Sequence, residues 1–175
     1  MAPGLRLLLA IAVAVMGFGV ACGALWGSSH WVPVAPGLRP YDPGYMLFVA
    51  LNNLFVLAML YLYGFGFGAP TAKLLFLNGF SIGMIAAQYP LGKAIIGLLP
   101  HGALEVPALI LAATCGFKIG ATEILVVKRR SKQAFKELLE AVKSTWRLML
   151  LAVALTLTGA FIEVYVTPRI LGWPG

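Results

Sequence analysis

The stretch LRLLLAIAVAVMGFGVACGALW, residues 5–26, decides the fold class. It is apolar throughout apart from Arg6, and it runs without a proline. A helix rises 1.5 Å per residue, so about 20 mostly apolar residues cross the roughly 30 Å of hydrocarbon in a bilayer. These 22 residues meet that length, and Arg6 lies near enough to the end to snorkel to the surface. Val20-Ala21-Cys22 faintly resembles the cleavage site of a lipid-modified signal. Gly19 stands where such a signal wants a larger aliphatic residue, and the run is long enough to span, so it reads as a first transmembrane helix.

The rest of the chain follows the same pattern. Hydrophobic residues make up 61% of the 175 and charged residues only 11%, against about 25% charged in an ordinary soluble domain. So few charges cannot clothe a water-facing surface, and the mean hydropathy of +0.92 agrees. Further spans read at 45–63, 71–89, 103–127 and 146–166. A polar Pro/Gly-rich stretch, SSHWVPVAPGLRPYDPG, separates the first two. The turn GFGFGAP separates the second and third. The segment PLGKAIIGLLPHG, residues 90–102, is bounded by Pro90 and Pro100 and is too short to span, which predicts a re-entrant or interfacial piece. The expected fold is therefore an all-α bundle of five spans forming a single integral membrane domain.

The net charge of +7 is bunched, and in a membrane protein bunching sets orientation. An inside N-terminus puts Arg6, Lys73, Lys128, Arg129, Arg130, Lys132, Lys136, Lys143 and Arg147 on the inner side. Arg39, Lys93 and Arg169 then fall outside, as does the C-terminus. Residues 128–146, KRRSKQAFKELLEAVKSTW, repeat Phe135, Leu138, Leu139, Val142 and Trp146 at helical spacing opposite Lys132, Lys136, Glu140 and Lys143. This predicts a cytoplasmic amphipathic helix lying on the anionic leaflet beside the last span, or a docking face for a membrane or cytosolic protein. Basic residues interleaved with exposed aromatics are missing, so no nucleic-acid partner is expected.

Small residues four apart mark packing faces: Gly19 and Gly23, Gly79 and Gly83, Gly116 and Gly120. Such spacing lets backbones approach closely in lipid, within one chain or between copies in a homo-oligomer such as a dimer. GFSIG at 79–83 and GFKIG at 116–120 differ at one position and fall on antiparallel spans, a pattern compatible with an inverted repeat. Cys22 and Cys115 lie in apolar runs and read as packing residues.

Ionisable groups at membrane depth are expensive and usually face a bundle interior or a wet cavity. His101 and Glu105, four apart on one helical face, fall at the outer mouth of the fourth span, and Glu163 near the outer end of the fifth. Asn52 and Asn53 lie about 12 Å below the outer end of the second span, and Asn78 nearer mid-membrane. Lys118 and Glu123 are left in the inner half, free to pair or snorkel. The outer groups form a candidate polar cluster, either structural or a solute path. HxxxE offers a metal only two ligands, too few for a site. No HExxH occurs, and GFSIG at 79–83, though it has the GxSxG spacing, lies inside an apolar span, so neither an enzyme nor a cofactor is expected.

PHGALEVPALILAATCGFKIG, residues 100–120, resembles the signature of the stage II sporulation protein M family, an HG-x-x-E-x-P-A opening followed by a Gly-rich span. TLTGAFIEVYVTP, residues 156–168, is similar to the family's closing Ile-Glu followed by Thr-Pro, and Asn52-Asn53 and Leu77-Asn78-Gly79 stand where the family has NN and LNG. By that resemblance His101, Gly102, Glu105 and Pro107 fill the first pattern, and Glu163, Thr167 and Pro168 the last. Val106 replaces a usual Leu, and Ala113-Thr114-Cys115 a more Gly-rich run. The family's named member anchors a peptidoglycan-degrading complex during engulfment. Because this chain has no soluble domain with which to act on a cell wall, the sporulation role is not carried over, and the resemblance implies a prokaryotic inner-membrane protein, expected to act as a membrane scaffold or assembly partner. The polar cluster supports the alternative, a small channel, transporter or permease subunit.

Overall fold

The computed structural model describes residues 3–30 and 40–172. Residues 31–39 of the first loop, with Arg39 of the charge count, lie outside the described residues. Five long helices carry the fold: α1 Leu5–Gly27, α2 Pro43–Leu62, α3 Ala69–Ala87, α4 Leu91–Arg129 and α5 Ala134–Phe161. A 3-10 turn, Tyr63–Phe65, follows α2, and a π-helical turn, Ile162–Val166, joins α5 to a short α6, Thr167–Ile170. There is no strand among the described residues. All five long helices, with the turns that extend α2 and α5, are apolar and long enough to cross a bilayer.

Two boundaries differ from the sequence expectation. Residues 91–102 are not a separate re-entrant piece but the first turns of α4, which holds Pro100 and Pro107 inside it and runs for 39 residues, about 58 Å. Proline is tolerated inside membrane helices because neighbouring groups re-satisfy the backbone it disturbs. The amphipathic stretch likewise does not lie apart from the last span. From Ala134 onward it is continuous with that span in α5. Its apolar stripe is only partly covered, with Phe135 80% exposed while Leu138 and Val142 are half-buried.

Helix α4 touches the other four long helices and forms the axis of the bundle. Its sequence explains why it can. Ala112 to Phe117 are buried in succession, all round the helix, and five of those six residues are small. Neighbouring helices can therefore close on every side of this segment. Cys115 packs here against α5, with its thiol 3.8 Å from the Thr145 carbonyl oxygen.

Glycine seams set the remaining contacts. A Cβ placed on Gly19, Gly23 or Gly27 would fall 2.4, 2.0 or 2.6 Å from the carbonyl oxygens of Phe76, Phe80 and Met84. On the facing helix, a Cβ on Gly79 or Gly83 would fall 2.5 or 2.0 Å from those of Met16 and Val20. Helices α1 and α3 thus meet backbone to backbone over three turns, where dispersion between close surfaces replaces a hydrophobic drive. Gly116 and Gly120 serve different partners, the last turn of α2 and the connection from α2 to α3. Their Cβ atoms would strike the Leu60 carbonyl oxygen and the Gly68 nitrogen. The two similar pentapeptides therefore seat unlike structures, one the length of a helix and the other a helix end with the turn that follows it. Glu123 Oε2 accepts a 2.8 Å hydrogen bond from the Phe67 amide of that turn, rather than pairing with Lys118.

Replacing Gly23 or Gly83 by Leu is expected to push α1 from α3 and destabilise the protein by about 1–3 kcal/mol. Gly17, which has open space where its side chain would be, should accept Leu without loss. Unfolding in mixed micelles measures both.

Candidate functional site

Four elements meet where the polar residues gather. Asn53 projects from α2, His101 and Glu105 from α4, Glu163 from the π-turn after α5, and Asn78 from α3. The Asn53 amide donates a 2.8 Å hydrogen bond to Glu105 Oε1, and Asn52 Nδ2 donates to Asn53 Oδ1 at 3.2 Å. Asn78 donates to the Leu74 carbonyl oxygen of its own helix at 2.8 Å.

This geometry corrects the depth expected from sequence. Asn53 is the eleventh residue of the 20-residue α2, and its bond fixes Glu105 at the same level. Glu105 is therefore level with the middle of α2, deeper along the bundle than a span beginning at residue 103 would put it. The long N-terminal extension of α4 accounts for the change, because Glu105 is preceded by more than three helical turns. A carboxyl group at that level needs polar partners inside the protein.

Room for it comes from α5. A Cβ on Gly159 would lie 2.7 Å from Glu105 Cγ, so the glycine is what admits the glutamate side chain between the helices. Gly159 was not among the residues singled out from sequence. Its only signal there is a position four residues before Glu163 in TLTGAFIE.

The last helix is irregular at this level. Pro168 lacks the N–H that would bond the Val164 carbonyl four residues back, and that oxygen instead accepts the Tyr41 amide at 3.2 Å. Arg169 sits 5.9 Å from the centre of the Tyr41 ring. The Thr-Pro pair thus ties the end of the last span to the residues that lead into α2. The π-turn contains Glu163, and such turns occur often at functional positions because they redirect side chains out of helical register.

His101, Glu105 and Glu163 come together: one donor atom from each lies within 4.8 Å of the others. All three side chains are half-buried. Beside them a cavity of about 770 Å³ opens among α2, α3, α4 and α5. Its polar wall includes Asn52, Asn53, Asn78, His101, Glu105 and Thr156, and most of the rest is apolar. Among the described residues the buried Thr156 hydroxyl has no hydrogen-bond partner, and neither has His101 Nδ1. Glycines 19, 23, 79, 83, 116 and 120 lie in the packing seams and not in this wall. Lys128, Arg129, Arg130, Lys132, Lys136 and Lys143 lie at the α4–α5 connection and on the first turns of α5, at the opposite end of the bundle.

The family model for stage II sporulation protein M matches residues 7–168. An uncharacterized protein of Methanocaldococcus jannaschii is 32% identical over 127 residues, covering 70% of this chain and 70% of the relative. A second uncharacterized protein of that organism is 28% identical over 122 residues. That match covers 68% of this chain but only about half, 54%, of the relative. No solved structure matches.

A double-mutant cycle of Asn53→Ala and Glu105→Ala, read by unfolding in micelles, should return a coupling of about 1 kcal/mol. Strict additivity of the two would show that the bond contributes nothing to the fold.

Proposed function

This chain belongs to the stage II sporulation protein M family, and from that premise we propose that it is a permease-type membrane protein whose mid-membrane cluster and adjoining cavity bind and pass a small cation or proton. The observation that carries this reading is the convergence of Asn53, His101, Glu105 and Glu163 from separate helices at mid-depth. Purely structural polar residues need only pairwise bonds, and Asn53–Glu105 supplies one such pair. His101 and Glu163 add ionisable groups beside it without a further hydrogen bond or ion pair among the described residues. Charge placed at such depth is retained where it has work to do. No covalent chemistry enters this reading.

The orientation that goes with it has the N-terminus inside, supported by the Lys and Arg asymmetry, so the site faces the outer half. A monomer this small encloses little space, and a homodimer that brings two laterally open cavities together fits the reading. The exposed Phe135 and Trp146 beside a basic surface favour a second reading, a scaffold that docks a protein at the inner face. The two readings are compatible in one molecule.

Proteoliposomes loaded with a pH dye, or with an indicator for divalent cations, test it. The wild type should pass at least one of these faster than protein-free vesicles. Glu105→Gln and Glu163→Gln should each abolish that flux with unchanged expression and oligomer size. Vesicles as tight as the protein-free control would contradict the permease reading. Capture of a stoichiometric partner that is lost when Lys128 to Lys143 are neutralised would then favour the scaffold.

A further inference from the structure

The donor set at the cluster is more specific than a polar path requires. One imidazole nitrogen and two carboxylate oxygens, from residues on two structural elements, lie within 4.8 Å of one another. An ion equidistant from three atoms so spaced would sit about 2.8 Å from each, whereas bonds from Zn²⁺ to His nitrogen and carboxylate oxygen are about 2.0–2.2 Å. Movements of about 0.7 Å per side chain close that gap, well within the reach of a glutamate. Sequence spacing offered only the two ligands of HxxxE, and the third arrives from α5 through the π-turn.

Electrostatics favour a cation between them. Two carboxylates this close in a low-dielectric setting cannot both stay ionised unless a proton or a cation lies between them. Among the described residues Glu105 has the neutral Asn53 amide as its partner, and Glu163 has no hydrogen bond or ion pair.

A second observation is independent of the acids. Thr156 is 1% exposed, lies in the cavity wall with His101 and Glu105, and its hydroxyl has no partner. Nδ1 of His101 is buried and unpartnered too. Buried polar atoms in native proteins are almost always bonded, and a metal ion with its coordinated water offers both of these a partner. One nitrogen with two oxygens suits Zn²⁺, Mn²⁺ or Co²⁺ better than Mg²⁺ or Ca²⁺, which prefer all-oxygen shells.

From this geometry we infer that His101, Glu105 and Glu163 coordinate a divalent transition-metal ion, with the Thr156 hydroxyl in the cavity wall beside His101 and Glu105 available to bond water on that side. The inference deepens the permease reading by naming the class of cation, and it rests on the same cluster. The full chain in nanodiscs, stripped with chelator and titrated with Co²⁺, tests it directly. Visible d–d bands should saturate at about one ion per chain, and Zn²⁺ should displace the Co²⁺. His101→Ala and Glu163→Gln should each weaken binding by roughly tenfold or more. Glu163 makes no hydrogen bond or ion pair among the described residues, so E163Q keeps the test open where H101A fails to assemble. Absence of saturable Co²⁺ binding, or binding unchanged in E163Q, overturns the metal site. Proton flux that persists without Co²⁺ binding would leave the permease reading standing and remove only the metal. Co²⁺ binding without any flux would do the reverse.

Discussion

A carboxyl side chain carried halfway along a membrane helix has to be solvated by the protein itself, and the arrangement around Glu105 follows from that constraint. Asn53 supplies the one direct hydrogen bond at 2.8 Å. That bond fixes the register of α2 against α4 and so sets the level of everything beside it. Gly159 gives up its side chain to make space. His101, one turn earlier on α4, is brought to the same place by helical periodicity. Glu163 reaches it because Pro168 and the π-turn break the regular ladder of the last helix.

The glycine seams make this possible from the other side of the molecule. Where α1 and α3 meet at backbone distance, and where the α2–α3 turn sits on Gly116 and Gly120, the helices are packed as closely as chains can be. That rigidity holds the bundle at one end and along one flank. The opposite end is looser: α2, α3 and the early turns of α4 leave the cavity of about 770 Å³ between them. Tight packing and a wet site thus occupy different parts of one small bundle.

Much of the fold is legible in the sequence because apolar runs of about 20 residues have few alternatives to spanning. Boundaries were legible only where water-seeking residues mark them. Pro100 suggested an end to a segment, yet α4 continues through it, since a membrane helix surrounded by neighbours absorbs a missing N–H. The basic stretch after Arg129 suggested a helix of its own, because a change of polarity looks the same whether or not the backbone bends there. A span starting at residue 103 puts Glu105 at its first turn, whereas α4 starts at Leu91 and the bond to Asn53 sets Glu105 level with the middle of α2. The cluster's members were legible one by one. Their meeting was not, because it depends on the π-turn and on Gly159, neither of which has a periodic signature.

The account stands on the Asn53–Glu105 bond, which solid-state NMR of the protein in bilayers measures most directly. With Asn side-chain nitrogen labelled ¹⁵N and Glu side-chain carboxyl labelled ¹³C, dipolar dephasing should report one pair about 3.5–4 Å apart, lost in Asn53→Ala. Dephasing that is absent, or identical in that variant, would contradict the placement of Glu105 and with it the site built around it.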